Sequence, residues 1–149
     1  MSDEDIKKWR IVPSVYEELS VREGIGRRMS VDWRWTILDE ALGKYAPSGL
    51  GILLPFAWQM HWYAYSEAQR RGIITATATP NNVMALTGMM RTAPIEAVIA
   101  TKESAQAFVD DLKEQGMLSR IRLWVIVSVR GETASFRAPL GETVYDSLP

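Results

Sequence analysis

The side chains that most often carry chemistry are few in this chain, and their spacing does not suit catalysis. His61 is the only histidine, and no acidic partner stands at helical spacing from it. Cysteine is absent, which removes disulfides, thiolate nucleophiles and cysteine-based metal sites. The adjacent acids Asp39-Glu40 and Asp110-Asp111 point to different faces of a helix, so neither pair gathers two carboxylates at one place. The sequence therefore predicts no catalytic residue, no cofactor and no metal site, and His61 is interpreted as a core histidine.

Arginines and tryptophans are the other conspicuous residues. The chain has 17 basic and 18 acidic residues, so nucleic-acid binding would depend on local clusters rather than on overall charge. One cluster lies between Met117 and Ala138, and a second lies in the N-terminal third, where arginines alternate with tryptophans. Such residues are frequent anchors of protein interfaces and can also stack on single-stranded nucleic acids, although core packing and solvated surface arginines are the more common reasons for them. The candidate protein-interface residues are Trp9, Trp33, Trp35, Arg27, Arg28 and Arg34.

Length and terminal composition limit the class of protein. The 149 residues suit one globular unit, with hydrophobic residues at 47% and charged residues at 23%. The acidic start, Met1 to Asp5, is unlike a signal peptide, and the longest apolar run, Leu50 to Ala57, is too short to span a bilayer. We therefore expect a cytoplasmic protein without a membrane partner.

The spacing of apolar residues, glycines and prolines predicts an α+β chain. Ile95 to Ala100 fits either a helix or a strand, because its apolar spacing is helical and its composition is β-branched. The alternating run from Arg120 to Arg130 is expected to pair back with Thr133 to Ala138 as a hairpin, through a turn at Gly131-Glu132. The other predicted elements are helices at 15–21, from Ser30 or Asp32 to about Lys44, at 55–71, at 80–88 and from the N-cap Thr101 to Gly116, and a strand at 73–79.

Two segments carry a resemblance to a known family. Thr79 to Met89, with the letters TPNNVMALTGM, resembles the positioning helix of the winged helix-turn-helix superfamily, T-x-x-x-L-A-x-x-T-G. Ser104 to Leu118 resembles its recognition helix, and the hairpin from Ile121 to Phe136 would be the wing. The aromatic helix that begins at Phe56 is similar to the first helix of phage replisome-organiser and related regulatory modules. The resemblance implies DNA contacts by Lys102, Ser104, Gln106, Arg120, Arg122, Arg130 and Arg137.

This resemblance gives one of two architectures. It implies a winged-helix-like domain at 53–149 with a helical extension at 1–52 packed on it as a single globular unit. The chain departs from the pattern in the roughly ten extra residues between Gly88 and Gly116 and in the acidic outer face of the recognition helix. The alternative is an α/β arrangement with a βαβ crossover at 95–129, in which Ile95 to Thr101 and Arg122 to Val129 are parallel strands.

The functional expectation follows the first architecture. We expect a non-enzymatic DNA-binding regulatory or replication-accessory protein of a phage, plasmid or bacterium, with arginines of the wing on phosphates. The alternative is an adaptor or inhibitor that binds a host protein through its acidic helix or its Trp/Arg-rich N-terminal third; a homodimer is left open. An enzyme on the βαβ architecture is a third reading. If Ile95 to Thr101 lies parallel to Leu123 to Val129, the geometry required for DNA binding is lost.

Overall fold

The protein alternates helices with short strands along most of its length. The computed structural model describes residues 25–129 and 132–147, with side chains from residue 34 onward. The helices are α1 (Ile25–Tyr45), α2 (Gln59–Arg70), α3 (Val83–Met89) and α4 (Lys102–Gln115), and a 3-10 turn spans Leu118–Arg120. The strands are β1 (Gly49–Leu53), β2 (Ile74–Thr77), β3 (Ala97–Ala100), β4 (Leu123–Ile126) and β5 (Thr143–Asp146).

The five strands form one sheet in the order β2-β1-β3-β4-β5, and every neighbouring pair is parallel. In the middle of the sheet Leu50 pairs with Thr75 on one side and with Ala97 on the other. Every residue of β1, β3 and β4 is buried. Strands buried on both faces need apolar side chains in both directions, which is why these segments read as continuous apolar runs.

Helices cover both faces of the sheet. α1 and α2 pack on one face, where Leu38, Leu42 and Ala64 meet Ile52 and Val125. α3 and α4 pack on the opposite face, where the buried apolar residues include Leu86, Phe108, Leu112, Val98 and Trp124. The fold therefore consists of three layers, with one apolar core on each side of the sheet.

Local signals explain the limits of α4. The Thr101 side chain accepts a hydrogen bond from the main-chain N–H of Ser104, and the Ser104 hydroxyl accepts one from the N–H of Thr101. This reciprocal pair satisfies two N–H groups that have no partner inside the helix. At the other end Gly116 adopts φ 69°, a left-handed conformation that glycine reaches without a steric penalty. The predicted start at Thr101 and end at Gly116 are confirmed.

The predicted hairpin is wrong. β4 pairs in parallel with β3 and β5, and the described residues of the segment Thr133–Ala138 form no strand. The physical reason is burial: a wing would expose one face of β4, whereas all four of its residues lie between the two cores. The β3–α4–β4 unit is the βαβ crossover that the sequence left as an alternative. The sheet is parallel throughout, and the described part of the chain does not show a winged helix.

Other predicted elements meet mixed outcomes. The helix at 55–71 is confirmed with a later start, at Gln59, and the strand at 73–79 is confirmed over Ile74–Thr77 alone, as β2. The helix expected from Ser30 or Asp32 begins earlier, at Ile25. β1 and β5 were not predicted, and the boundary drawn between residues 52 and 53 falls inside β1. The predicted helix at 15–21 lies outside the described residues.

No helix within the described ranges is both long enough and apolar enough to cross a bilayer.

Candidate ligand site at the carboxyl edge of the sheet

The connections between strands diverge at the carboxyl ends of β1 and β3. These two strands are neighbours, but the chain leaves β1 toward α2 on one face of the sheet and leaves β3 toward α4 on the other. The two loops therefore diverge. In open parallel sheets, ligands bind in the crevice outside the carboxyl ends of the strands where such a reversal occurs.

A groove of about 380 Å³ lies at this edge, between the turn that follows β2 and the first turns of α4. Ligand pockets in proteins usually measure about 300–1,000 Å³, so the groove has room for a small organic molecule. Its wall combines apolar surface with hydroxyl, amide and carboxylate groups. The lining residues are Pro80, Asn81, Val83, Thr101, Glu103, Ser104 and Ala107.

The α4 wall of the groove is fixed to the central strand. The Ser104 hydroxyl lies 3.3 Å from the main-chain oxygen of Leu53, the last residue of β1, and donates to it. The same hydroxyl lies 2.8 Å from the hydroxyl of Thr101. Because Ser104 is 2% exposed, these bonds form away from water and hold the start of α4 in one position. The groove is therefore largely preformed.

The loop after β1 contributes an aromatic cluster to the same edge. His61 is 1% exposed, and its Nδ1 lies 3.0 Å from the main-chain oxygen of Leu54. A carbonyl can only accept, so Nδ1 carries the proton and Nε2 is an acceptor. Burial lowers the pKa of His61, which keeps the ring neutral. His61 is thus a buried, hydrogen-bonded residue, as the sequence predicts.

Around His61 the aromatic side chains order the loop. The Phe56 ring packs edge-on against His61 at a centroid distance of 4.9 Å, and the Trp62 indole N–H donates to the main-chain oxygen of Phe56 at 2.7 Å. Phe56 remains 44% exposed, and Tyr65, which packs against Trp62, is 39% exposed. The loop after β1 therefore offers aromatic surface to solvent while its main chain is held in place.

Hydroxyl groups also close the carboxyl ends of β4 and β5. The hydroxyls of Ser128 and Ser147 lie 2.9 Å apart, and the main-chain N–H of Ser128 donates to the Ser147 hydroxyl at 2.8 Å. Both residues are 2% exposed. These bonds tie the two strands together beyond the last pair of the ladder.

The predicted DNA-binding residues do not share one surface. Lys102, Ser104 and Gln106 lie at the start of α4, at the carboxyl edge. Arg120 and Arg122 precede β4 and therefore lie at the opposite, amino edge. Arg137 is exposed in the connection between β4 and β5, and Arg130 lies outside the described residues. The single phosphate-contacting face that the hairpin would have provided is not formed by the described members of this set.

Two of the predicted interface residues, Trp35 and Arg34, have a structural role or a partner within the chain. Trp35 on α1 stacks on Tyr63 of α2, with ring centroids 4.8 Å apart, and is half-buried. Arg34 is also half-buried and has an interaction partner. For the remaining members the side chains lie outside the described part: Trp9, Arg27, Arg28 and Trp33. The interface set as a whole stays a prediction.

An ion pair at the amino edge joins the starts of three strands. Arg122, before β4, donates from Nε to Glu96, before β3, at 2.6 Å, and from Nη2 to the main-chain oxygen of Tyr45 at 3.2 Å. Glu96 also accepts from the main-chain N–H of Ser48, before β1, at 2.7 Å. Arg122 and the Ser48 N–H hold the pKa of Glu96 down at about 2. Arg122 therefore stabilises the sheet. The sequence predicts a phosphate contact for Arg122 and does not anticipate this structural role.

Replacing Arg122 by alanine is expected to lower the free energy of unfolding by about 1–2 kcal/mol at neutral pH, because the half-exposed pair is partly screened. A lowered pKa in the folded state contributes stability above the unfolded value, near 4.5, and loses it as the pH falls through about 2. Urea unfolding at several pH values should therefore show the difference between wild type and Arg122→Ala shrinking below pH 4.5. Arg137→Ala, at an exposed arginine, is the control. A pH-independent difference would contradict this role.

Sequence reasoning missed the groove because its residues follow two different strands, β2 and β3, that are far apart along the chain. The signal that could have found it is a hydroxyl residue directly after a buried apolar run, as in Ala100-Thr101. Within the described residues, no three acidic or histidine side chains come together in a way that could hold a metal ion. No protein-family model, no curated protein and no solved structure matches the chain.

Proposed function

We propose that this chain binds a small organic molecule in the groove at the carboxyl edge of its parallel sheet. The observation that carries the proposal is the position of the groove: its lining residues follow the carboxyl ends of β2 and β3, and Ser104 in its wall is bonded to the end of β1, the strand between them. In sheets of this kind the loops at that point are the usual place for ligand contacts, since the strands hold them rigidly.

The lining indicates an uncharged or cationic ligand. Glu103 supplies the charge among the described lining residues, and its carboxylate opposes an anion at the start of α4. The capping pair Thr101 and Ser104 already uses N–H groups that would otherwise attract an anion there. Val83 and Ala107 offer apolar contact. A ligand with a compact apolar body and one or two neutral or basic polar groups fits these properties.

Fragment screening by NMR tests the proposal. The 15N-labelled chain is titrated with a library that contains neutral, cationic and anionic fragments of similar size. Neutral or cationic fragments are expected to shift the amide resonances of Asn81, Thr101 and Ser104 in a saturable manner. Anionic fragments are expected to bind more weakly, because Glu103 repels them.

Two substitutions on the same helix separate groove binding from general effects. Ala107→Phe fills the groove from an exposed position and is expected to reduce fragment affinity at least tenfold. Gln106→Phe adds the same ring to an exposed neighbour that does not line the groove, and its affinity should be close to that of the wild type. If no fragment shifts the groove resonances, or if both variants lose binding equally, the proposal fails.

The expectation of DNA binding is a separate prediction that these findings leave untested. Its stated geometric condition, a hairpin in place of a parallel β4, is not met. Addition of a DNA duplex to the same labelled sample provides the test: shifts around Lys102 and Gln106 that weaken steeply with salt would favour it. That the chain is not an enzyme, and that it binds a host protein, likewise stay predictions.

A further inference from the structure

A compact group of polar side chains joins α1 to α2, away from the groove. Asp39 on α1 faces Tyr63 and Glu67 on α2, and the Tyr63 hydroxyl donates to Asp39 Oδ2 at 2.6 Å. Tyr63 is held in place by Trp35, which stacks on its ring at 4.8 Å. The contact between the two helices is therefore ordered on both sides of the tyrosine.

The second carboxylate of the group, Glu67, forms an ion pair with Arg70. Arg70 donates from Nε and Nη2 to the two oxygens of Glu67, at 2.7 and 2.8 Å. Glu67 is 9% exposed, and its carboxyl group neighbours that of Asp39. Two ionised carboxylates at such a site repel each other, so the group is more stable when one of the two carries a proton.

The proton belongs on Asp39. Its Oδ1 is buried, no N–H or O–H group of the described residues reaches it, and Arg71 Nη2 lies 3.9 Å away. Burial and the neighbouring Glu67 raise the pKa of Asp39 to about 6. The bidentate contact with Arg70 has the opposite effect on Glu67 and lowers its pKa to about 2. The same neighbourhood raises the pKa of Tyr63, so the phenol stays a donor.

We infer that Asp39 and Glu67 share one proton across the α1–α2 contact, and that α1 packs less firmly once the proton leaves. The groups that face Asp39 from α2 are Glu67, Tyr63 and Arg71, with Arg70 acting through Glu67. Loss of the proton leaves two carboxylates side by side, and Arg71 compensates only in part from 3.9 Å. This inference is independent of the proposed ligand site.

The direction of the pH effect follows from the raised pKa. An acid whose pKa is higher in the folded state than the ordinary 3.8 contributes stability at low pH. That contribution decreases as the pH rises through about 6. We therefore expect α1 to pack more stably on α2 below pH 6 than above it. The ion pair of Glu96 and Arg122 loses its contribution only at much lower pH, which keeps the two effects apart.

NMR titration of the side-chain carboxyl carbons in the full chain tests the inference directly, without any substitution. The resonance of Asp39 is expected to titrate near pH 6 and that of Glu67 below pH 3. Hydrogen exchange of the α1 amides, corrected for the intrinsic effect of pH, should become faster relative to α4 as the proton leaves. A midpoint for Asp39 at or below pH 4.5 would overturn the inference.

Two substitutions on α1 add an independent measurement. Asp39→Asn keeps an N–H donor toward Glu67 at every pH, so its folding equilibrium constant relative to wild type should rise about tenfold between pH 4 and pH 8. Glu40→Gln removes a carboxylate from the adjacent exposed position and should show no such trend. A ratio for Asp39→Asn that is constant over this range would also contradict the shared proton.

Discussion

Trp124→Ala is expected to lower the free energy of unfolding by about 3–5 kcal/mol, the largest effect of the proposed substitutions. Trp124 is fully buried on β4 and contacts Phe136 at a centroid distance of 5.0 Å and Phe108 at 6.3 Å. Truncation leaves a cavity between α4 and the sheet that these rings cannot fill. Urea unfolding followed by far-UV circular dichroism measures the effect without depending on tryptophan fluorescence.

Trp124→Phe is the matched comparison. The indole N–H of Trp124 has no acceptor among the described residues, so its removal relieves an unsatisfied donor while the ring is partly retained. We therefore expect a loss of about 1 kcal/mol. If the phenylalanine variant is as unstable as the alanine variant, the N–H makes a bond that matters and the packing argument is wrong.

Gly49→Ala is expected to be the second most damaging change, with a loss of about 3 kcal/mol or more. A Cβ at this position would lie 2.7 Å from the main-chain oxygen of Pro94 and 2.9 Å from Ile95 Cδ1. A main-chain atom cannot rotate away, so β1 and the segment before β3 must separate. That separation would strain the hydrogen bond from the Glu96 N–H to the Gly49 oxygen, which is 3.1 Å long.

Gly51→Ala and Gly88→Ala are the comparison variants for the stability loss of Gly49→Ala. At Gly51 the new methyl would meet the end of the Leu86 side chain at 2.8 Å, which can adjust at a cost of about 1–3 kcal/mol. At Gly88, on α3, nothing lies within 4 Å, and alanine is expected to stabilise the helix by about 0.5–1 kcal/mol. The midpoint of thermal unfolding should be lowest for Gly49→Ala, intermediate for Gly51→Ala and highest for Gly88→Ala. Equal stability of Gly49→Ala and Gly88→Ala would contradict the close approach.

Local signals in the sequence predict that the helices exist, but most of their starts differ; the helix predicted at 80–88, for example, is α3 and begins at Val83. α4 carries an N-cap at Thr101, inward apolar residues at helical spacing and a glycine stop at Gly116, and all three depend on neighbouring residues alone. α2 and the short strand β2 are likewise predicted from the composition and spacing of neighbouring residues. The pairing of strands is different, because it depends on residues that are far apart along the chain.

β4 shows why strand pairing was mispredicted. Its apolar residues and the following Gly131 suggest a hairpin, but the absence of a polar residue between Leu123 and Val127 indicates a strand buried on both faces. β1 was missed for a related reason: Gly49 and Gly51 suggest a turn, whereas they allow close packing of a central strand. The groove depends on both strands, so it could not be predicted while their positions were wrong.

The contacts around Glu96 bear on which residues of this protein can change without loss of the fold. Glu96, Arg122 and Ser48 link the amino ends of β1, β3 and β4, and Arg122 also binds the main-chain oxygen of Tyr45. None of these contacts involves a groove residue. Register is therefore secured at the end of the sheet opposite to the ligand loops. Exchange of Asn81, which lines the proposed ligand groove, should alter which molecule is accepted and leave the scaffold intact, so recognition can diversify separately from folding.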